Sequence, residues 1–282
     1  MKKATRNLSV AALAIGLAAS ATACSRNAEP TVASDCKPQH EFATIEKGKL
    51  TVGITEIPPY SYTKDGKPAG ADVELIKEFA SENCLELKPV PLAYSAAVPS
   101  VQNKRIDLTV GDWYRTAARS EIVSLTAPIY LDEFGVISPD GITNVGDLKG
   151  KNVGTVDGYL WVNDLRTMLG GQLKVYPSSV ELKQDLDSGR IDVGVDAYGT
   201  ALYNFPEGSK FKVTTVKPDP QVQATVEPAQ TGFPYTKDNA DLGKALDATI
   251  EEKRTSGELV KILEANGLPA SSAEVGEPRL IP

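Results

Sequence analysis

Histidine is nearly absent from this chain: His40 is the only one in 282 residues. With just three cysteines beside it, no Cys/His cluster stands at metal-ligand spacing. Neither a Ser-His pair nor a Gly-rich phosphate loop is written anywhere. Chemistry that leans on imidazole, a bound metal or a nucleotide phosphate therefore has little to work with. Long apolar runs are scarce as well, and beyond Ser20 no stretch is long and apolar enough to span a bilayer. Positive charge is outweighed, with 30 Lys and Arg against 37 Asp and Glu. An acidic chain is a poor partner for nucleic acid or for anionic lipid surfaces.

What is present begins with a leader. "MKKATRN" carries Lys2, Lys3 and Arg6, "LSVAALAIGLAAS" is apolar and uncharged, and "ATAC" follows. A basic region, a short apolar region and small residues before a cut make residues 1–23 a signal peptide, so the mature protein is expected outside the cytoplasm. Loss of those three cations takes the formal charge from −7 to −10. "ATA" before Cys24 fits ordinary cleavage to a free protein. It also resembles the lipobox of bacterial lipoproteins, in which Cys24 becomes the lipidated N-terminus. Residues 24–40 then read as a lipidated end and a polar tether, which favours the lipid-anchored reading. With Cys24 so assigned, Cys36 and Cys84 remain as an even pair in an oxidising compartment. A bridge between them closes a loop of roughly 48 residues, worth at most about 4 kcal/mol. Two independent thiols are the alternative.

The remaining chain alternates strand and helix patterns. "KLTVGI" reads as a buried strand, "ADVELIKEFASENC" as a helix with Val73, Ile76 and Ala80 on one face, and "LELKPV" as a second strand. A short helix across "SAAVPSVQNK" and a strand "IDLTV" follow. A second series repeats the plan: strand "NVGTV", helix "YLWVNDLRTML", strand "LKVYP", helix "SVELKQDLDSG", strand "IDVGV". This alternation predicts an α/β fold with parallel sheets. The segments "KRIDLTVGD" and "GRIDVGVD" both follow an amphipathic helix, begin Arg-Ile-Asp and end in an acid, Asp112 or Asp196. Two similar lobes are expected. Open α/β sheets bind ligands beyond the carboxyl ends of their strands, so both acids and "DWYRTAAR" should line a cleft between the lobes.

At this point the chain resembles a known family, the extracytoplasmic solute-binding proteins of amino-acid ABC transporters. The landmarks run from about Lys49 to Gly267 and include "GKLTVGI", "PPYSY", "DGKPAGADVELIKEFA", "TAARSEIVSLTAPIY", "DLKGKNVG", "SGRIDVGVD" and "DLGKALDATIEEKRTSGELVKIL". The resemblance implies a two-lobed type II periplasmic-binding-protein fold, an α/β architecture with two hinge crossovers. Residues 41–130 and 228–282 would form lobe 1, and residues 131–227 lobe 2. It also implies roles. The T-x-x-R match spans Thr116 to Arg119, and Arg119 is the expected clamp for a ligand carboxylate, whose two oxygens a guanidinium fork matches. Thr116 is equally suited to capping the helix it opens. Asp196 matches the acid that meets the ligand ammonium. Tyr94 matches an aromatic that packs against the ligand side chain, although a core position would explain it as well.

The chain also departs from the family. "VDGYLW" stands where a Gly-Thr or Gly-Ser turn opens a helix, so Tyr159 and Leu160 would offer backbone N–H groups while Tyr159 adds bulk. Asp112, Trp113 and Tyr114 replace Gly, an apolar residue and Thr. Asp112 then adds a second acid near the ammonium site, and Tyr114 a long phenol. Arg115 answers an acidic ligand or points to solvent.

The family implies a monomeric receptor, without cofactor, that captures an amino acid and delivers it to a permease, touching the membrane only through its lipid. Two other readings stand beside it. The fold also carries dehydratases of cyclic amino-acid precursors, for which Asp112 and Asp196 would be acid and base. A sensor reporting to a separate membrane receptor is the third.

Overall fold

The computed structural model describes residues 35–282; the leader, Cys24 and the tether up to residue 34 lie outside the described residues. In lobe 1, β1 (Lys49–Ile54) leads into a hairpin of β2 (Tyr62–Lys64) and β3 (Lys67–Ala69). Then come α1 (Ala71–Glu82), β4 (Glu86–Pro91), α2 (Tyr94–Gln102), β5 (Leu108–Val110), α3 (Ala117–Ile122) and β6 (Ser124–Leu125). The chain crosses over through β7 (Leu131–Asp132). Lobe 2 runs β8 (Phe134–Ser138), β9 (Val153–Val156), α4 (Val162–Leu169), β10 (Leu173–Tyr176), α5 (Ser179–Asp187), β11 (Val193–Ala197), α6 (Tyr198–Asn204) and β12 (Lys212–Thr215). β13 (Ala229–Gln230) pairs antiparallel with β7 on the return. β14 (Pro234–Tyr235), α7 (Ala240–Thr255) and α8 (Glu258–Ala265) complete lobe 1.

The two sheets share one plan. Their orders are β4-β1-β5-β14-β6 and β10-β9-β11-β8-β12. In each, three parallel strands are followed by one antiparallel strand and a fifth that runs with the first three. The repeated Arg-Ile-Asp marks the start of the central strand in both. Asp107 N–H donates to Thr51 O at 2.9 Å while Thr51 N–H donates back to Asp107 Oδ2 at 2.8 Å. In lobe 2, Asp192 N–H donates to Asn152 O and Asn152 N–H to Asp192 Oδ2, both at 2.8 Å. The same acid thus locks the start of the central strand in each lobe. The neighbouring isoleucines cover the glycine that follows, Ile106 over Gly53 and Ile191 over Gly154.

The match does not extend to the terminal acids. With Arg-Ile-Asp in register, Asp196 stands opposite Gly111, and Asp112 lies one residue further on. Asp196 is accordingly inside β11, whereas Asp112 has left β5 and takes a left-handed φ of 56°.

Cys36 and Cys84 form a disulfide, with Cα atoms 5.8 Å apart. Residues 36–40, read from sequence as tether, are therefore held against the end of α1. Gln39 N–H donates to Glu82 O and His40 N–H to Asn83 Oδ1. The terminal helical stretch is two helices because Gly257, at φ 74°, turns the chain between them. They dock on α1 through buried Lys253, whose ammonium meets Glu78, Glu82 and Glu258 at 2.9, 2.8 and 3.1 Å.

The paired Arg-Ile-Asp locks differ in burial: Asp107 is 1 % exposed and also accepts Ile45 N–H at 2.8 Å, whereas Asp192 is at the surface. Asp107→Ala leaves two N–H groups without a partner and should cost about 2–4 kcal/mol. Asp192→Ala should cost less than about 1 kcal/mol, because water replaces its carboxylate. Urea unfolding of both variants measures the contrast, and equal losses would show that burial does not set it.

Candidate functional site

The loop after β5 takes its shape from a residue outside it. Gly111 has φ 126°, and a Cβ there would lie 1.8 Å from Thr55 Oγ1, so no other residue fits. The N–H groups of Gly111 and Asp112 both donate to Asp72 Oδ2, at 2.9 and 3.0 Å. Asp72 stands in the first turn of α1 and also accepts the Tyr130 hydroxyl on Oδ1 at 2.8 Å. Burial lifts its carboxyl from 3.8 to about 6, with the three donors pulling the other way.

Each residue of "DWYRTAAR" then has a definite place. Trp113 stacks on Tyr94 at 3.9 Å and carries the Arg119 guanidinium 4.9 Å from its ring centre. The Tyr114 hydroxyl donates to Asp132 Oδ2 at 2.8 Å. Arg115 turns to the back of the lobe, donating to Thr126 O, Gln230 Oε1 and Arg279 O at 3.0, 3.1 and 2.6 Å. There the chain end is laid alongside, with Ile281 N–H on Arg115 O and Ala117 N–H on Ile281 O. Thr116 Oγ1 accepts Arg119 N–H at 3.1 Å and caps α3; it does not line the cleft. Arg119 donates through Nη1 to Tyr114 O at 2.7 Å and reaches lobe 2 through Nη2, 3.5 Å from Gly158 O.

Lobe 2 answers with Tyr159, Leu160 and Trp161. The helix does not open at Tyr159 as its sequence predicts: α4 starts at Val162, and Tyr159 N–H is taken by Val156 O at 3.4 Å. The turn first brings Trp161 inward, where it is 2 % exposed and donates Nε1–H to Thr155 Oγ1 at 2.8 Å. The Tyr159 hydroxyl donates to Asp196 Oδ1 at 2.9 Å, and its ring meets Tyr94 edge-on at 4.9 Å. Burial raises the Asp196 carboxyl to about 7. Its Oδ2 makes no hydrogen bond of good geometry, although the Ser179 hydroxyl lies beside the carboxyl.

Six of the sequence-selected residues, Tyr94, Asp112, Tyr114, Arg119, Tyr159 and Leu160, surround one cavity between the lobes. Trp161 and Ala197 complete the wall and escaped the sequence reading. The cavity measures about 10 Å³, room for no more than a water. Behind it lies the residue that most clearly escaped notice, Asp132 in β7. Its Oδ1 accepts the Tyr60 hydroxyl at 3.0 Å and Gly199 N–H of lobe 2 at 3.2 Å, so the carboxyl spans the hinge. Asp112 lies against it. Burial and the neighbouring carboxylate push Asp112 well up, and burial raises Asp132 too. "IYLDE" holds no signal for this, since an acid after an apolar run reads as a solvated strand end.

Comparison with known proteins agrees with this architecture. The model of the bacterial extracellular solute-binding proteins, family 3, matches residues 50–267. The probable amino-acid-binding protein YxeM of Bacillus subtilis is 27% identical, over 83% of this chain and 89% of its own. The L-cystine-binding protein TcyJ of Escherichia coli is 27% identical, over 78% and 82%. Among solved structures, an ancestral arginine-binding protein bound to arginine superposes with a TM-score of 0.69 at 26% identity, covering 78% of this chain and 98% of that one. The substrate-binding protein AbpA of Streptococcus pneumoniae bound to L-arginine gives a TM-score of 0.69 at 27% identity, covering 82% and 98%. The chain belongs to the bacterial extracellular solute-binding proteins, family 3.

Proposed function

We propose that the protein captures an amino acid between its lobes and delivers it to the permease of an ABC transporter. One observation carries this reading: aromatic side chains from both lobes converge with Asp112 and Arg119 of lobe 1 on a single cavity at the strand ends. The amino-acid-binding names of its relatives support the ligand class. A cavity of about 10 Å³ holds no amino acid, so capture requires the lobes to part and close again about the β7/β13 crossovers. In this reading Arg119 takes the ligand carboxylate and Asp196 the ammonium, with Tyr94 and Tyr159 packing on the stem. The amino-acid-binding names of the relatives favour this reading over the dehydratase alternative, in which Asp112 and Asp196 would be acid and base.

Loss of Arg119 leaves a ligand carboxylate buried and unpaired, at about 2–5 kcal/mol. Calorimetry on Arg119→Ala should show affinity reduced from about 30-fold to several thousandfold, and Arg119→Lys only partial recovery. Arg115→Ala should lower the unfolding temperature and change affinity much less, because its partners are backbone and tail. Near-wild-type binding by Arg119→Ala would rule the clamp out.

The pH dependence has opposite signs for stability and for binding. With its folded value raised from 3.8 to about 7, Asp196 contributes stability that is complete below pH 3.8 and is lost as the pH rises through 7. An ammonium ligand needs the carboxylate, so affinity for an amino acid with an uncharged side chain should fall about tenfold from pH 8 to pH 6. Asp196→Asn should bind about 30-fold more weakly at pH 8 and lose that slope. A flat wild-type profile would exclude Asp196 as the ammonium partner.

Cys24 lies outside the described residues, and lipid anchoring there is the sequence-based part of the proposal. Wild type should pellet with membranes and Cys24→Ala should not; a wild type found free in the medium contradicts anchoring.

A further inference from the structure

We propose that Tyr159 gates the ammonium site: its hydroxyl occupies Asp196 as a built-in competitor, and an amino acid binds by displacing it. The proposal rests on the amino-acid reading above and adds to it a residue that sets affinity and the rate of entry.

The acid is covered on its cleft side. Asp196 is 1 % exposed and is not part of the cavity wall, which lobe 2 builds from Tyr159, Leu160, Trp161 and Ala197. Its Oδ1 accepts the Tyr159 hydroxyl and Ala197 N–H, both at 2.9 Å. Its Oδ2 is buried, with the Ser179 hydroxyl beside the carboxyl. An ammonium entering from the cleft therefore meets the phenol before the acid. A phenol O–H and an ammonium N–H both donate to a carboxylate, so the two compete for one acceptor.

The opposite lobe keeps the phenol in place. Tyr159 and Asp196 both belong to lobe 2, so their hydrogen bond does not itself join the lobes. The ring is held differently. Trp161 of its own lobe meets it edge-on at 5.0 Å, and Tyr94 of lobe 1 meets it edge-on at 4.9 Å. Beside it Gly158 is pressed against the start of α2, where a Cβ would lie 3.1 Å from Ser95 Cα and 3.3 Å from the Tyr94 ring. As the lobes stand, the ring has no space in which to turn.

Parting the lobes withdraws Tyr94 and Ser95 together. The hydroxyl bond and Trp161 then restrain the ring, on a turn that is lightly held: Gly158 has φ 84°, and the Tyr159 N–H bond to Val156 O is long, at 3.4 Å. Opening thus frees the phenol to leave Asp196, and an ammonium can take its place before the lobes close. While the phenol stays, the protein is not ready for an ammonium, and apparent affinity falls by the fraction so held. A carboxylic acid without an ammonium gains nothing from the displacement, so the gate acts on amino acids and not on their des-amino analogues.

Tyr159→Phe keeps the ring and removes the hydroxyl. Titrations and stopped-flow mixing with L-arginine and L-histidine test the proposal, read through the fluorescence of Trp113 and Trp161. These are the chain's two tryptophans, and both touch the ring pair. Work at about pH 8.5 keeps the solution above the value of about 7 to which burial raises Asp196. Tyr159→Phe should bind each amino acid that wild type binds at least about fivefold more tightly, with faster association. Guanidinovalerate and imidazolepropionate, the des-amino analogues, should bind wild type and variant within about twofold of each other. Tyr159→Leu also lacks the hydroxyl; it should separate amino acids from analogues in the same direction, and it guards against a folding fault in one variant. Equal or weaker binding of the amino acids by Tyr159→Phe overturns the proposal and leaves the amino-acid reading standing. A gain that extends equally to the analogues overturns it too, because the phenol then acts through packing alone. If neither wild type nor variant binds either amino acid the proposal fails, and Arg119→Ala measured with other amino acids decides the broader reading.

Discussion

Two backbone N–H groups, those of Gly111 and Asp112, converge on one buried carboxylate oxygen of Asp72, and the direction of the loop after β5 follows from that contact. The pair of bonds holds Asp112 in a left-handed conformation that it would otherwise rarely adopt. From there Trp113, Tyr114 and Arg119 are spaced along the turn into α3. The other oxygen of Asp72 holds Tyr130, whose ring lies flat against Tyr60 at 5.0 Å, and Tyr60 in turn donates to Asp132. One carboxylate at the start of a helix therefore reaches both the loop that carries Arg119 and the crossover that joins the lobes.

Aromatic pairs join the lobes at three points. Tyr94 meets Tyr159, Tyr114 meets Trp161 at 5.9 Å, and Tyr62 of the β2–β3 hairpin meets Tyr203 of α6 at 5.7 Å. Each such pair contributes about 0.5–1.5 kcal/mol beyond the area it buries. Together they hold the closed arrangement by a few kcal/mol, a scale that a bound zwitterion's charged hydrogen bonds match or exceed. The balance suits a receptor that must both close on a ligand and give it up.

Much of this was legible in the sequence because it rests on local pattern. The alternation of buried runs and amphipathic segments reports layers directly, and Arg-Ile-Asp marks the same lock in each lobe. The place of Arg119 in the first turn of α3 was legible because Thr116, three residues before it, caps that helix. The unread parts depend on contacts between distant segments. Asp72, in the first turn of a helix, looks like an ordinary partner of the helix dipole. Asp132 looks like the end of a strand. Trp161 delays the start of α4 because its ring is wanted in the interior, which periodicity along the helix does not reveal. The similar endings of the two motifs mask a one-residue offset between Asp112 and Asp196, whose consequence, one acid inside its strand and the other beyond it, depends on where β5 and β11 end.

The course of the chain end has a practical side. Residues 279–281 are laid against Arg115 and Ala117, directly behind the loop that carries Arg119, and Gln230 holds the same tail through Val275 O and Glu277 O. A purification tag or fluorescent reporter attached at Pro282 is therefore poorly placed, since a mobile cargo there pulls on the rear of the loop that carries Arg119. For an optical sensor, exposed Tyr203 on α6 is the better handle: its neighbour across the cleft is Tyr62, and a dye at that position would register the separation of the lobes while leaving the tail seated.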